Sequence, residues 1–260
     1  MQALSQWRTL ALWLLLLGHT SLQAQSVAPK PADLEAEAPR PILWAPLDDH
    51  AQDNTISNRA NPAESGHLVA VGREVTTEAL GLTLALPAQP KTGTAGRSLR
   101  CLWLPDGRTH VLFPVPERFN PQEGTLELLW QPGASTEEFG ALFCSDADTA
   151  FQAFLAQGRL HFRVAGGQVS APHRPQLGAW HQYRFLWSQR EGRRSIIIDG
   201  EPAVDETGGA WQEAPLGKTL LFNARANLAF PGRGGAPGFY AEVAIYDRAL
   251  SQVPSASTEP

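Results

Sequence analysis

Alternation of apolar and polar residues is the clearest pattern in this chain, and its strongest stretch is WHQYRFLWSQREGRRSIIIDGEPA at 180–203. Large aromatic residues recur there at positions 183, 185 and 187, which is the period of a strand. Residues 195–198 are β-branched and apolar and predict a second strand. Asp199-Gly200 suits a primed hairpin turn, because Gly accepts a positive φ and Asp tolerates one. With a third strand over 201–204, the stretch predicts a meander whose apolar face needs a partner sheet.

Short apolar segments separated by turn residues continue along the rest of the chain. They predict strands over 42–47, 67–75, 79–86, 98–104, 109–115, 125–131, 141–144, 150–156, 160–165, 219–223 and 240–246. Pro105-Asp106-Gly107 predicts a hairpin between 98–104 and 109–115, and Gln157-Gly158 and Gly166-Gly167 predict further turns. Strands this short and frequent, without a long helix, predict an all-β fold of two antiparallel sheets packed face to face.

Several stretches resemble the laminin-G-like, concanavalin A-like jelly-roll family, in the order that the family has them. They are LWAPLDD at 43–49, GTLELLWQP at 124–132, the Trp180-His181 strand followed by the strand that ends at Asp199-Gly200, and FYAEVAIYDRALS at 239–251. The resemblance covers most of 42–251 and implies a jelly-roll β-sandwich, in which His181 and Arg248 are expected to be structural. It says little about activity, because this fold hosts lectins, hydrolases and adhesion modules alike.

The start of the chain predicts a targeting signal. Arg8 precedes the apolar run 10–17, which is shorter than the roughly 20 residues needed to span a bilayer, and Leu22-Gln23-Ala24 offers a cleavage site. An uncleaved anchor is the alternative. We expect these segments: signal peptide 1–24, flexible leader 25–41, β-sandwich 42–251 and disordered tail 252–260. No second apolar run follows, so we expect a secreted or periplasmic protein without a transmembrane span.

Charge and cysteine content narrow the choice of partners. The net charge of -5 gives no support to a nucleic-acid partner. Cys101 and Cys144 are the only cysteines, and a secreted context permits a disulfide between them. Two buried thiols are the alternative, and the sequence does not decide between them because pairing depends on geometry.

Catalytic motifs are missing from the sequence. A retaining glycosidase needs two carboxylates about 5 Å apart, and glucan-hydrolysing relatives in the resembled family place them on one strand as a Glu-x-Asp-x-x-Glu-like run. Here Glu127 and Glu242 each stand alone in a predicted strand, and Asp146 and Asp148 lie in a predicted loop. We therefore predict a non-enzymatic protein; a glycan hydrolase whose carboxylates converge from distant positions is the remaining alternative.

A structural calcium ion is a further hypothesis. Asp48, Asp49 and Asp53 lie in one polar segment after the first predicted strand, and they offer the oxygen ligands that calcium takes. In relatives, calcium joins this region to an acidic residue of the last strand, but the matching position here is Ala241. A solvated loop with Asx turns is the alternative.

Aromatic and planar polar residues suggest where a sugar would bind. Trp130, Trp180 and Trp187 fall in predicted strands and are expected in the core. Trp103, beside the 105–107 turn, and Trp211, in a glycine-rich loop, are the candidates for exposed stacking. Potential hydrogen-bond donors near the 223–238 loop are Asn223, Arg225 and Arg233. The sequence thus predicts a secreted, non-catalytic binding module that recognises carbohydrate, with a structural or protein-interaction domain of the cell envelope as the alternative and a glycan or cell-surface protein as its partner.

Overall fold

A computed structural model describes residues 39–47, 54–70, 81–85, 98–106, 109–133, 139–146, 151–212, 216–224 and 234–250. All of them belong to one unit, Ala38–Pro260. The expected signal peptide, most of the leader and the tail lie outside the described residues. None of the helical turns within the described ranges is long and apolar enough to cross a membrane.

The described residues form sixteen β-strands and one short 3₁₀ helix, Pro62–Glu64. The strands are β1 (Leu43–Ala45), β2 (Thr55–Ile56), β3 (Gly66–Ala70), β4 (Gly81–Ala85), β5 (Ser98–Leu104), β6 (Thr109–Pro114), β7 (Glu123–Pro132), β8 (Phe139–Ser145), β9 (Phe151–Ala156), β10 (Arg159–Val164), β11 (Gly167–Pro172), β12 (His181–Ser188), β13 (Arg193–Ile198), β14 (Glu201–Glu206), β15 (Thr219–Phe222) and β16 (Gly238–Tyr246).

Two antiparallel sheets form a β-sandwich of jelly-roll type, which confirms the predicted fold class. Sheet A has the order β14-β13-β12-β7-β16-β5-β4, and β1 also pairs with β16. Sheet B has the order β11-β10-β9-β8-β15-β6-β3-β2. The predicted meander is present as β12-β13-β14, and its turn has φ 52° at Asp199 and φ 83° at Gly200. Both residues thus have the positive φ of a type I′ turn.

The core lies between the two sheets, and aromatic residues at alternate strand positions fill it. Phe185 in β12 of sheet A contacts Phe143 in β8 and Phe162 in β10 of sheet B, and each ring-centroid distance is 5.2 Å. Trp130 and Trp187 are fully buried, as the strand pattern predicts. Close packing of large apolar side chains between the two sheets supplies most of the stability of a β-sandwich.

The predicted hairpin between residues 98–104 and 109–115 is wrong. β5 pairs with β4 and β16 in sheet A, whereas β6 pairs with β3 and β15 in sheet B. The predicted turn residue Asp106 does make a local contact, because its side chain accepts a 3.1 Å hydrogen bond from the Thr109 N–H. This contact bends the chain locally, but β5 and β6 belong to different sheets, so the two strands do not pair.

Two strands were not predicted. Gly166-Gly167 was expected to form a turn only, but Gly167 begins β11, the edge strand of sheet B. β2 is only two residues long and lies within a segment that reads as a polar loop. Both have few apolar residues, so hydrophobic alternation does not reveal them.

The two cysteines lie in different sheets. Cys101 in sheet A clusters with Trp180 and Ala241, and Cys144 in sheet B clusters with Leu221 and Ala224. Neither cluster belongs to the core between the sheets, so the two side chains are on opposite outer sides of the sandwich. The structure therefore holds two separate buried thiols instead of a disulfide.

Candidate functional site

Three side chains on three adjacent strands of sheet A form one row on its outer surface. The strand register places Phe239 of β16 opposite both Trp103 of β5 and Gln131 of β7. The residues next to them, Leu102, Trp130 and Tyr240, point into the core. Because side chains alternate along a strand, the three residues face outward. All three are half-buried, and we call them the Trp103 row.

The rings of the Trp103 row lie side by side. The centroids of Trp103 and Phe239 are 4.6 Å apart, with an angle of 37° between the ring planes. The Gln131 Nε2 donates a hydrogen bond to the Gly178 carbonyl, which fixes the orientation of the amide. Gly133 is exposed, and a Cβ added to it would collide with the Trp103 ring. A glycine at this position thus leaves room for the indole.

Buried residues support the row from the side. Trp180, 4% exposed, clusters with Cys101 and Ala241, and Phe239 packs against this group. The row is therefore held in place before any ligand arrives. Half-exposed rings with a fixed amide beside them can stack on the apolar face of a sugar ring and hydrogen-bond its hydroxyl groups.

The other predicted tryptophan, Trp211, has a different environment. It packs against the core, and the guanidinium of Arg194 lies 4.9 Å from the centre of its ring. Arg194 is 1% exposed and donates hydrogen bonds to the carbonyls of Val164, Ala165 and Ala210. One face of the indole is thus already occupied by a cation, and the structure does not bring Trp211 together with Trp103.

The remaining predicted ligand residues divide into buried and undescribed ones. Asn223 is fully buried, and its Nδ2 donates 2.8 Å hydrogen bonds to the carbonyls of Asp106 and Thr109. It therefore joins β15 to the connection between β5 and β6. The other candidates lie outside the described residues: Arg225, Arg233, Asp48, Asp49 and Asp53. Within the described ranges, no group of three or more His, Cys, Asp or Glu residues could hold a metal ion, so the calcium site stays a prediction.

Two carboxyl groups that stand alone in the sequence share the outer face of sheet A. The register places Glu127 opposite Ala244 and Glu242 opposite Leu129 on the adjacent strand, so the two are diagonal neighbours. Glu127 is 6% exposed and accepts a 2.6 Å hydrogen bond from the Arg184 Nε. Glu242 accepts a 3.2 Å hydrogen bond from the Trp44 indole. In the sequence each of the two glutamates stands alone, and only the register between β7 and β16 brings their carboxyl groups close together.

Burial shifts the pKa of both carboxyl groups in the same direction. It raises the pKa of Glu127 above its ordinary value, and the charge and hydrogen bond of Arg184 only partly oppose that effect. Burial also raises the pKa of Glu242. The Glu127 side chain is 8% exposed and the Arg184 side chain that contacts it is 14% exposed, so little of this carboxyl group is open to solvent.

A histidine cluster holds the start of β12 to the turn before β14. His181 Nδ1 lies 2.9 Å from the Asp199 carboxylate, which also accepts a 2.8 Å hydrogen bond from the Gln182 N–H. His173 Nε2 is 2.8 Å from the Tyr183 hydroxyl, and burial together with the nearby His181 lowers the pKa of His173 to about 4. Burial opposes ionisation of Asp199, but the hydrogen bonds from His181 and Gln182 outweigh it and lower the pKa. These contacts give His181 a structural role.

A family model described as the Concanavalin A-like lectin/glucanases superfamily matches residues 105–253 of the chain. This range contains strands β6 to β16 and two of the three members of the Trp103 row, Gln131 and Phe239. A comparison with curated proteins gave no match.

Solved structures of carbohydrate-related and receptor-binding proteins share the fold. Domain 4 of AbnA, a GH43 extracellular arabinanase from Geobacillus stearothermophilus, in complex with arabinotriose, has a TM-score of 0.55 and 17% identity; the match covers 85% of this chain and 100% of that one. Trypanosoma rangeli sialidase in complex with the inhibitor DANA has a TM-score of 0.54 and 11% identity, over 80% of this chain and 31% of that one. The receptor binding domain of botulinum neurotoxin mosaic serotype C/D has a TM-score of 0.51 and 10% identity, over 81% and 48%. At these identities the likeness concerns the fold alone.

Proposed function

This chain belongs to the concanavalin A-like lectin/glucanases superfamily, and we propose that it is a non-catalytic module that binds a glycan at the Trp103 row. The observation that carries the proposal is the alignment of two half-exposed aromatic rings and a fixed amide on the outer surface of sheet A. The arabinanase domain that matches over its whole length was solved with arabinotriose, which supports a sugar ligand for a sandwich of this size.

The environment of the carboxyl groups supports a binding role over hydrolysis. A glycosidase needs an acid and a second carboxylate that both reach the scissile bond. Glu127 is enclosed and engaged by Arg184, and Glu242 is engaged by Trp44. Neither carboxyl belongs to the Trp103 row, so a glycan bound there would find no acid–base pair among these two residues.

The surface supports a glycan over a protein partner. Among the residues that the structure describes, Leu177 is the exposed large apolar side chain, at 58%. A single such side chain is ordinary for a soluble surface, whereas docking sites for proteins are contiguous apolar patches. We further propose that residues 1–24 direct export, so that the module meets its glycan outside the cytoplasm.

The test is a glycan array that includes arabinotriose, followed by calorimetry on each hit, with calcium and then with a chelator. We expect Trp103→Ala to weaken binding about tenfold or more, because truncating an aromatic anchor at a binding site costs about 2 kcal/mol. Trp211→Ala is the matched control, since it removes an indole whose face is occupied by Arg194.

Two outcomes would contradict the proposal. One is silence across the array while circular dichroism shows a folded protein. The other is binding that depends on Trp211 and not on Trp103. If glycan binding is sensitive to the chelator, this would support a metal site at Asp48, Asp49 and Asp53. It would not change the role proposed for Trp103.

A further inference from the structure

The connector between β11 and β12, residues 173–180, crosses from sheet B to sheet A and is held at its two ends. Gln176 and Leu177 in its middle are exposed. At its start, the His173 N–H donates a 3.0 Å hydrogen bond to the Gly158 carbonyl. A segment with few buried contacts between its ends opens at a low cost in free energy. The contacts at the two ends therefore decide whether the connector stays closed.

The far end of the connector supports the Trp103 row. The Gly178 N–H donates a 3.3 Å hydrogen bond to the Pro132 carbonyl, and the Gly178 carbonyl accepts one from the Gln131 amide. Trp180, the last residue of the connector, belongs to the buried cluster beside the row. Opening of the connector would thus release the amide of the row and loosen its lateral support.

The near end of the connector carries a histidine with a neutral partner. His173 Nε2 lies 2.8 Å from the hydroxyl of Tyr183, which is fully buried. The His173 ring meets the His181 ring edge-on, with a centroid distance of 5.3 Å and an angle of 88°. The Asp199 carboxylate lies 2.9 Å from His181 Nδ1. The carboxylate is thus engaged by His181, and a hydroxyl is left to His173.

This environment favours the neutral form of His173. The titratable groups that face it are Tyr183 and His181 from β12 and Asp199 from the turn before β14. The side chain of Arg174, next in the chain, lies against the turn between β9 and β10. Burial and the charge of His181 lower the pKa of His173 from 6.5 to about 4, and Asp199 only partly opposes them. Neutral His173 therefore stabilises the fold above about pH 6.5, and this contribution is lost as the pH falls toward 4.

We infer that the 173–180 connector is an acid-sensitive switch that loosens the Trp103 row. In acid, His173 takes a proton from solvent and becomes a second cation beside His181, with one carboxylate nearby for both. Repulsion between the two rings and the cost of burying a charge drive the His173 side chain away from Tyr183 toward water. The near end of the connector is then free, and the row loses the support that the far end provides.

The switch is a property of the protein itself, and only its effect on a ligand rests on the function proposed for the Trp103 row. Opening of the connector is measured without a glycan, so absence of glycan binding and absence of the switch are separate results. For a glycan that binds at the row, the affinity should fall with pH in parallel with the opening of the connector.

The first experiment follows urea unfolding of the full chain from pH 7 to pH 4 for wild type and His173→Gln. Glutamine keeps a polar group near Tyr183 and takes up no proton in this range. Carboxyl groups also titrate here, so the difference between the two proteins isolates His173. We expect the unfolding equilibrium constant to rise on the order of a hundredfold more in wild type than in the variant. His67→Gln, at an exposed position in β3, is the matched control and should retain the wild-type pH dependence.

The second experiment measures amide hydrogen exchange by mass spectrometry, relative to the unfolded chain at the same pH. In wild type, residues 173–180 should lose protection as the pH falls, before the paired strands β7 and β12 do. In His173→Gln they should keep it. Tyr183→Phe retains the ring and removes only the hydroxyl, so the connector should lose protection already at pH 7.

Three results would overturn the switch. One is the same pH dependence of unfolding in wild type and His173→Gln. Another is a connector that loses protection only together with the whole sandwich. The third is a connector as protected in Tyr183→Phe as in wild type at pH 7, and this result decides the matter even if His173→Gln does not fold.

Discussion

Arg194 shows how a charged side chain can be accommodated inside this sandwich. Its guanidinium donates to the carbonyls of Val164, Ala165 and Ala210 and lies under the Trp211 ring. The start of β11 is adapted to it, because a Cβ added to Gly167 would collide with the guanidinium. One residue thus joins β13 to the turn between β10 and β11 and to the loop after β14.

Replacing this arginine should destabilise the fold strongly. Arg194→Ala leaves the buried carbonyls of Val164 and Ala165 without their donor, and also removes the partly buried hydrogen bond to Ala210, so we expect a loss of about 3 kcal/mol or more in the free energy of unfolding. Urea unfolding followed by tryptophan fluorescence measures it. Arg190→Ala, at an exposed position, should stay within about 0.5 kcal/mol of wild type. Equal stability of the two variants would show that the buried guanidinium contributes nothing.

Single residues also show what the sequence allows one to predict about the site. Trp103 could be selected because it lies beside a turn signal, which places it near the end of a strand. Its neighbours Phe239 and Gln131 could not, because they come from strands distant in sequence and meet only through the register of sheet A. The proximity of Glu127 and Glu242 could not be predicted for the same reason, because it depends on the register between β7 and β16.

At the scale of elements, the central strand pair β7-β12 depends on a fit between a glycine and a tryptophan. Gly124 of β7 lies directly opposite Trp187 of β12, and the space that a Cβ would take is filled by the indole ring. Trp187 is fully buried and stacks on Phe119 at a centroid distance of 5.6 Å. The absence of a side chain at position 124 is therefore part of the core packing.

Adding one methyl group there should overpack the core. Gly124→Ala is expected to lower the free energy of unfolding by about 1–3 kcal/mol, because the indole must leave its preferred position. In a double-mutant cycle with Trp187→Phe, the smaller ring should relieve part of the penalty, and the coupling energy measures the fit. Additive effects of the two substitutions in urea unfolding would contradict this account.

Elements with strong alternation were predictable and those with weak alternation were not. The meander β12-β13-β14 follows from its aromatic residues and its Asp-Gly turn, and both are local signals. The assignment of β5 and β6 to one hairpin failed, because the choice between two sheets is made by apolar contacts far along the chain. β11 was missed since Gly167 and Pro172 bound a short, largely polar edge strand.

At the scale of the whole molecule, the two outer faces of the sandwich differ. Sheet A carries a half-exposed aromatic row beside a mostly buried surface, and sheet B carries the stacked rings of Phe139, Phe154 and His161. The two thiols follow the same division, since Cys101 lies on the outer side of sheet A and Cys144 on that of sheet B.

This arrangement predicts that both thiols are present but protected. Burial raises the pKa of Cys101 to about 11, and Cys144 is fully buried and donates to the Ala224 carbonyl. A thiol reagent at pH 8 should therefore detect no thiol in the native protein, because the thiolate is the reactive form. In denaturant without a reductant, it should detect both. Detection of none after denaturation would indicate a disulfide and contradict the separation of the two side chains.

The position of β16 within sheet A sets an order for synthesis and folding. This strand comes late in the sequence, yet it pairs with β1, β5 and β7, and one of its pairs joins Leu43 to Ile245. Until the ribosome has made residue 246, β7 has no neighbour on that side, and β1 and β5 have no central strand on which to assemble. Closing loops of this length is slow, so sheet A stays unassembled and the growing chain stays unfolded for most of its translation.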